Sequence, residues 1–184
     1  MKSFADLLIA WHAKSGRHHL PWQQSKNPYS VWVSEIMLQQ TQVTTVIDYY
    51  NCFMKKFPTI KALAHADEEE VMQLWSGLGY YRRARFLYEG AQIIMERMEG
   101  NFPSEFDMMM KIPGIGRSTA GAIAAFSFNQ KKAILDGNVK RVLSRYFLIS
   151  EWTGLPKTEK NYGITQNHFF QIKTSTLTHK HLWI

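Results

Sequence analysis

Apolar residues recur at helical spacing through most of the first 150 residues, and this pattern limits the fold more than any other feature of the sequence. Residues 43–57 carry apolar side chains at intervals of three and four, and residues 81–98 repeat the pattern. No run alternates between apolar and polar residues, as the strands of a half-buried sheet would. The sequence therefore predicts an all-α protein.

Capping residues and glycines set the expected limits of the helices. Asn27 and Pro28 are favoured at the N-cap and first position of a helix, so one is expected to begin there. Ser104 is expected to cap a short helix that reaches Met110. Three further helices are expected at 43–57, 71–78 and 81–98, the last of them ended by Gly100. Another is expected to begin near Arg117, and a final one lies within 136–149. The residues of the final helix that are expected to face inward are Val139, Val142, Leu143, Tyr146 and Phe147.

The charge balance and the single cysteine narrow the classes of function. Lys and Arg total 22 against 15 Asp and Glu, for a formal net charge of +7. That surplus suits nucleic acid, an acidic membrane surface or a merely basic protein. No apolar stretch reaches the roughly 18 residues of a membrane-spanning helix, so none is expected. Cys52 alone forms no internal disulfide or thiolate metal cluster, and the scattered histidines predict no metal site; composition points to the cytosol.

Glu35 is the only charged residue between Lys26 and Asp48. It shares a helical face with Val31 and Leu38 on a helix that is apolar almost all round, so we expect it to be buried. Burial raises the pKa of a carboxyl group, which would keep Glu35 protonated near neutrality and able to act as a general acid. The alternative is a buried acid that serves only local hydrogen bonds.

Asp136 follows an apolar run at the start of the last predicted helix. Asp is common at this position as a structural N-cap, and the helix amides there favour its ionised form. A neutral acid together with an anionic carboxylate suits the hydrolysis of a glycosidic bond. Whether Glu35 and Asp136 are close in space is left open by the sequence.

The segment IPGIGRSTAGA, residues 112–122, places a Pro-Gly-x-Gly turn between two predicted helices. Gly114 and Gly116 permit positive φ and close approach of the backbone to a ligand. The amides that open the next helix, beside Arg117, suit one phosphate of a DNA strand. The turn is similar to a helix-hairpin-helix element, and the alternative is a connection that needs glycine for its geometry alone.

A second glycine-containing turn, SGLGYYRRARFL, combines two tyrosines with Arg82, Arg83 and Arg85. Aromatic rings beside guanidinium groups suit base stacking and phosphate neutralisation. By the pattern alone, an ordinary turn into an amphipathic helix with solvated arginines is the better interpretation.

Five segments, in this order and spacing, closely resemble the MutY family of adenine DNA glycosylases, a branch of the helix-hairpin-helix glycosylase superfamily that also contains endonuclease III. They are LPWQ, PYSVWVSEIMLQQTQV, WSGLGYYRRARFL, IPGIGRSTAGAI and LDGNVKRVLSR. The resemblance covers roughly residues 4 to 158. It implies a six-helix lobe at residues 24–133 that carries the hairpin, and an incomplete second helical lobe built from residues 1–23 and 134–160.

The resemblance implies excision of adenine mispaired with 8-oxoguanine or guanine in double-stranded DNA. Glu35 takes the position of the catalytic acid, which protonates adenine N7. Asp136 matches the carboxylate that stabilises the oxocarbenium-like sugar, and Asn138 matches a neighbour that orients water or Asp136.

The same resemblance assigns residues that contact the DNA. Gln40 and Tyr80 match residues that probe and wedge the duplex, and Trp22 and Leu38 match positions around the extruded adenine. The hairpin residues expected to contact the backbone are Gly114, Gly116, Arg117 and Ser118. Endonuclease III-like enzymes carry a lysine at the position of Ser118 for Schiff-base chemistry, so a monofunctional glycosylase without strand nicking is expected.

The family pattern continues beyond this sequence with further helices, four cysteines that bind a [4Fe-4S] cluster, and a domain that reads 8-oxoguanine. Those cysteines are absent here, so no cofactor is expected, and residues 161–184 no longer match, as after truncation or a frameshift. We expect that tail to be poorly ordered, the protein to be marginally stable, and turnover to be weak or lost. A monomer in the bacterial cytoplasm, associated with the nucleoid, is expected.

Two other functions remain open at this point. A helix-hairpin-helix module that binds DNA without catalysis needs only the hairpin and the basic surface. An endonuclease III-like enzyme acting on oxidised pyrimidines is disfavoured by Ser118 and Glu35.

Overall fold

The computed structural model describes residues 4–132 and 134–151, and these fold into α-helices joined by turns. No strand occurs in this part of the chain, which confirms the all-α prediction. The predicted disorder of residues 161–184 lies outside the described residues. The helices are α1 (Phe4–Ser15), α2 (Pro28–Leu38), α3 (Val43–Lys56), α4 (Ile60–Ala64), α5 (Glu68–Trp75), α6 (Arg82–Met98), α7 (Phe106–Met109), α8 (Arg117–Ser127) and α9 (Gly137–Phe147), with a 3-10 turn at Pro21–Gln23.

The chain divides into two compact units. The larger unit runs from His19 to Phe128 and contains α2 to α8. The smaller unit takes the chain before and after it, and its described helices are α1 and α9. The lobe limits given above, 24–133 with 1–23 and 134–160, stay a prediction.

Helix α2 is the central element of the larger unit. Its start is the predicted one, because Oδ1 of Asn27 accepts a hydrogen bond of 2.9 Å from the amide of Tyr29, and Pro28 fills the first position. Every residue from Tyr29 to Met37 is buried, among α3, α6, α8 and the 3-10 turn. An amphipathic helix could not be enclosed in this way, so the all-round apolar pattern of α2 is explained by its position.

Helix α6 packs closely against α2 at Gly90. A Cβ atom at Gly90 would lie 2.8 Å from Cζ2 of Trp32 and 2.9 Å from Cγ2 of Ile112, both on buried side chains. Contacts that short do not occur between real side chains, so the two helices approach this closely only because residue 90 has no side chain.

The smaller unit has its own small core, in which Leu8 of α1 packs with Val139 and Leu143 of α9. Two other large apolar residues of α1 are substantially exposed: Leu7 at 48% and Trp11 at 42%. Among the described residues, the buried apolar cluster of the smaller unit is therefore much smaller than the one around α2.

Two local predictions were wrong. The short helix begins at Phe106 with Glu105 as its N-cap, so Ser104 does not cap it. Phe102 packs edge-on against the Trp32 ring, at 5.5 Å between centroids, and the chain from Phe102 to Glu105 is not helical. Tyr146 is 48% exposed rather than inward-facing, because the buried stripe of α9 passes through Val139 and Leu143 and leaves Tyr146 at its edge.

No helix in the described ranges is both long enough and apolar enough to cross a membrane.

We predict that Gly90→Ala lowers the free energy of unfolding by about 1–3 kcal/mol, as other overpacked cores do. In an ordinary helix interior the same change would stabilise by about 0.5–1 kcal/mol. Urea unfolding followed by circular dichroism measures the difference. Gly137→Ala, at the first position of α9, is the uncrowded control, since a Cβ there meets no atom within 4 Å. A stabilised Gly90→Ala variant would contradict the packing described.

Candidate functional site

Glu35 lies in the last turns of α2 and is only 8% exposed, so its predicted burial is confirmed. The flanking residues Ser34 and Ile36 are also buried, at 1% and 2%. The hydroxyl of Ser34 donates 2.8 Å to the carbonyl of Val31, which satisfies that polar group locally. The carboxyl group of Glu35 therefore occupies the kind of surrounding that a general acid requires; its protonation state stays a prediction.

Trp22 and Leu38, the predicted base-pocket residues, both border the core around α2. Trp22 is 5% exposed and packs edge-on against the Tyr50 ring, at 5.3 Å between centroids. Its indole N–H is buried and makes no hydrogen bond with the described part of the chain. Leu38 is half-buried at the end of α2. Their role around an extruded base stays a prediction.

Gln40 and Tyr80, the residues expected to probe the duplex, share an unusual backbone conformation. Their φ angles are +56° and +51°, in the left-handed region that side chains other than glycine seldom adopt. Each such residue costs on the order of 1–3 kcal/mol and persists only where its surroundings hold it. Both side chains are exposed, Tyr80 to 61%. Two strained turns thus present the two side chains to solvent.

Arg83 lies between these two turns. It is 9% exposed, so the interpretation of Arg82, Arg83 and Arg85 as solvated arginines is wrong for Arg83. Its guanidinium donates to backbone oxygens at the end of α2 and in the turn before α6. The acceptors at Nη1 are the carbonyls of Ile36 and Met37, each at 3.0 Å, and of Gln39; those at Nη2 are Thr41 Oγ1 at 3.2 Å and the carbonyls of Gly79 at 3.1 Å and Leu78 at 3.4 Å.

Burial lowers the pKa of Arg83, while the neighbouring Tyr80 opposes that change. The guanidinium also lies over two aromatic rings, 5.5 Å from the centroid of Trp75 and 5.4 Å from that of Tyr80. Sequence reasoning missed this residue, although a signal existed. Residues 83, 87, 91 and 94 share one face of α6, and the other three are apolar, so Arg83 stands on the buried stripe.

The predicted hairpin forms between α7 and α8. Ile112 and Ile115 anchor it in the core, at 2% and 4% exposure. Gly114 has φ +76°, and a Cβ there would lie 2.9 Å from Cβ of Phe86 on α6. Gly116 caps α8 with no side-chain hydrogen bond, and a Cβ there would meet no atom within 4 Å.

Arg117 and Ser118 begin α8, as the hairpin motif predicts. Arg117 is exposed, and its guanidinium lies 5.9 Å from the centroid of the Phe106 ring. Ser118 is half-buried. With no capping side chain at residue 116, the first amides of α8 keep their donors for an external acceptor, next to a cation.

Asp136 and Asn138 belong to the smaller unit. Oδ1 of Asp136 accepts a 2.8 Å hydrogen bond from the amide of Val139, which confirms the predicted N-cap. Oδ1 of Asn138 accepts 3.1 Å from Nη2 of Arg141. The pairing of Asp136 with Glu35 of the larger unit stays a prediction.

The residues present do not fit the iron–sulfur cluster that the resemblance associates with the family. A [4Fe-4S] cluster takes four thiolates, whereas the sequence has a single cysteine, Cys52, exposed on α3. Within the described ranges, no group of three His, Cys, Asp or Glu side chains could hold a metal ion.

Comparison with known sequences identifies the family. Residues 33–164 match the sequence model described as "HhH-GPD superfamily base excision DNA repair protein". The chain belongs to this superfamily. Members of it that resemble the chain include adenine DNA glycosylases from Buchnera aphidicola subsp. Baizongia pistaciae, 52% identical over 147 residues, and from Homo sapiens, 47% identical over 152 residues. The predicted relationship to adenine glycosylases is confirmed.

The matched regions cover 80% and 78% of this chain but 42% and 28% of those two relatives. The chain thus spans less than half the length of the curated HhH-GPD proteins it matches.

Solved structures confirm the HhH-GPD fold. A thermostable thymine-DNA glycosylase superposes with a TM-score of 0.83 at 22% identity, covering 98% of this chain and 85% of that one. A non-covalent endonuclease III–DNA complex gives 0.77 at 20% identity, covering 97% and 80%.

Two glycines of the hairpin give a matched pair for mutation. We predict that Gly114→Ala lowers the free energy of unfolding by at least about 1 kcal/mol, because alanine is strained at positive φ. Its Cβ would also contact Phe86. Gly116→Ala is expected to change stability by less than about 0.5 kcal/mol, since the site is open and its φ of −85° suits alanine. Equal losses in the two variants, measured by urea unfolding, would contradict the hairpin geometry.

Proposed function

We propose that this HhH-GPD protein is a monofunctional adenine DNA glycosylase, which hydrolyses the N-glycosidic bond of adenine mispaired with 8-oxoguanine or guanine in double-stranded DNA. The observation that carries the proposal is the burial of Glu35 in the last turns of α2. Its identity with the family acid rests on the resemblance, and the adenine glycosylases that match over most of this chain support it.

In the proposed reaction Glu35 donates its proton to adenine N7. The protonated base is a better leaving group, so the bond between C1′ and the purine breaks with its electron pair on the base. Asp136 would stabilise the positive charge that develops on the sugar, and a water molecule oriented with the help of Asn138 then adds at C1′ and loses a proton. General acid catalysis of this kind contributes about 10²–10⁴ in rate.

Access to the bond requires that the adenine leave the helical stack. The hairpin amides and Arg117 would hold one phosphate, and the surplus of basic residues supplies sequence-independent attraction to the backbone. Gln40 and Tyr80 would enter the duplex at the mispair. A monofunctional reaction is proposed because the hydroxyl of Ser118, unlike a lysine amine, cannot form an imine with the sugar.

A second candidate is a module that binds DNA without releasing a base. It is favoured by the location of the hairpin, Gln40 and Tyr80, which all lie in the larger unit, whereas Asp136 lies in the smaller one. For either candidate we propose a monomer in the bacterial cytoplasm.

We predict that Glu35→Gln reduces adenine release by at least about 100-fold and leaves DNA affinity within a few-fold, because the amide cannot donate the required proton. Glu69→Gln on α5, an exposed acid, is the matched control. Single-turnover assays on an adenine:8-oxoguanine duplex, with gel-shift titration in parallel, measure both quantities.

The same gel assay separates the candidates when it is run with and without alkali. Strand breakage that needs alkali supports the proposed glycosylase. Binding without breakage supports the DNA-binding module, and breakage without alkali would indicate endonuclease III-like chemistry. Unchanged release by Glu35→Gln would remove Glu35 from the mechanism.

A further inference from the structure

Arg83 bonds two separate turns of the backbone from a buried position. A buried guanidinium is costly where a donor lacks an acceptor. Here Nη1 and Nη2 share six oxygen acceptors, all of them uncharged, while the buried Nε makes no hydrogen bond with the described part of the chain. The acceptors form two groups. One group lies at the C-terminal end of α2 and in the turn of Gln40. The other lies in the turn that ends at Tyr80.

The first group includes carbonyls that α2 leaves without helical partners. Nη1 bonds the carbonyls of Ile36 and Met37, each at 3.0 Å, in the last turn of the helix. A cation at a helix C-terminus also interacts favourably with the helix dipole. Nη1 continues to the carbonyl of Gln39, and Nη2 reaches Oγ1 of Thr41 at 3.2 Å, so the residues on both sides of Gln40 are bonded to Arg83.

The second group holds the turn between α5 and α6. Nη2 bonds the carbonyls of Leu78 and Gly79, while the Tyr80 ring lies over the guanidinium, 5.4 Å from Cζ to the ring centroid. The carbonyl of Tyr80 accepts 2.9 Å from the amide of Arg83 itself. Both left-handed residues are therefore flanked or contacted by one planar group.

Resting on the proposed function, we infer that Arg83 is a positioning residue that couples the Gln40 and Tyr80 turns, so that their side chains enter the duplex at the mispair as one rigid unit. The planar guanidinium fork suits this role because its two terminal nitrogens reach both turns at once. A lysine ammonium would keep the charge but offers three donors from a single nitrogen, which cannot span two groups of acceptors.

The inference is tested first without any activity, by hydrogen exchange of the full chain. The reporter amides are Thr41, bonded to the carbonyl of Leu38 at 3.4 Å, and Leu78, bonded to the carbonyl of Trp75 at 3.1 Å. In Arg83→Lys both amides are expected to exchange faster together, while the hairpin amide of Ile115 keeps its wild-type rate. Arg85→Lys, whose side chain pairs with Glu68 on the surface, is the matched control.

The second measurement is a double-mutant cycle on single-turnover adenine release. Arg83→Lys alone is expected to slow release by at least about tenfold, since small misplacements of positioning groups cost as much as 100-fold. In a variant that already carries Gln40→Ala and Tyr80→Ala, Arg83→Lys is expected to slow release by less than about a further threefold, because the two side chains that Arg83 positions have been removed. A role confined to stability would instead slow release equally in both backgrounds.

A milder variant covers the case in which Arg83→Lys fails to fold. Thr41→Val removes one acceptor of Nη2, together with the 3.3 Å hydrogen bond from Oγ1 to the carbonyl of Gln39, and leaves the arginine in place. It is expected to speed exchange at Leu78, across the guanidinium, as well as near Gln40. Faster exchange confined to residues 38–42 would overturn the coupling, as would equal slowing of release in both backgrounds.

The outcomes also separate this inference from the proposed function. If the wild type neither prefers the mispaired duplex nor releases adenine, the glycosylase proposal fails, and the exchange data alone decide whether the two turns are coupled. If the wild type is active and Arg83→Lys matches Arg85→Lys in exchange and rate, the glycosylase proposal stands and the role of Arg83 is refuted.

Discussion

The enclosure of α2 is the constraint on which the rest of the larger unit depends. From Tyr29 to Met37 the helix is buried on every side, and other helices must therefore surround it. The close approach of α6 at Gly90 and the 3-10 turn at Trp22 both follow from this arrangement. A carboxyl group on such a helix has little access to water, whatever its direction. The burial of the candidate acid Glu35 thus follows from the position of α2.

Where α2 ends, burial gives way to exposure, and the polar backbone groups of the helix terminus need partners. Arg83 supplies them from α6, which places a charged group in the core next to the strained turn of Gln40. The same guanidinium contacts the turn of Tyr80. One residue therefore satisfies a helix end and stabilises two backbone conformations that are unfavourable by themselves. The proposed contacts with DNA sit on these conformations, and one of them, Gln40, follows the candidate acid Glu35 closely in the sequence.

The hairpin is a second, independent element of the candidate interface. It rests on buried isoleucines, on a glycine with positive φ against Phe86, and on an open N-terminus of α8 beside Arg117. Membership of the HhH-GPD superfamily agrees with this local geometry. The hairpin and the Gln40 and Tyr80 turns occupy one unit, while Asp136 and Asn138 occupy the other. The candidate acid Glu35 belongs to the same unit as these proposed DNA contacts, so the glycosylase proposal requires residues of both units.

The sequence by itself determined those features that arise from local periodicity and capping. The starts of α2 at Pro28 and α8 at Arg117, the N-cap role of Asp136 and the burial of Glu35 follow from neighbours a few residues away, so they were predictable. Helix α4, with five residues, is too short to show a period, and it was missed. Only the tertiary structure decided the place of Ser104, the exposure of Tyr146 and the role of Arg83. Arg83 reaches acceptors more than 40 residues away in α2 and its turn, and no local pattern encodes contacts at that separation.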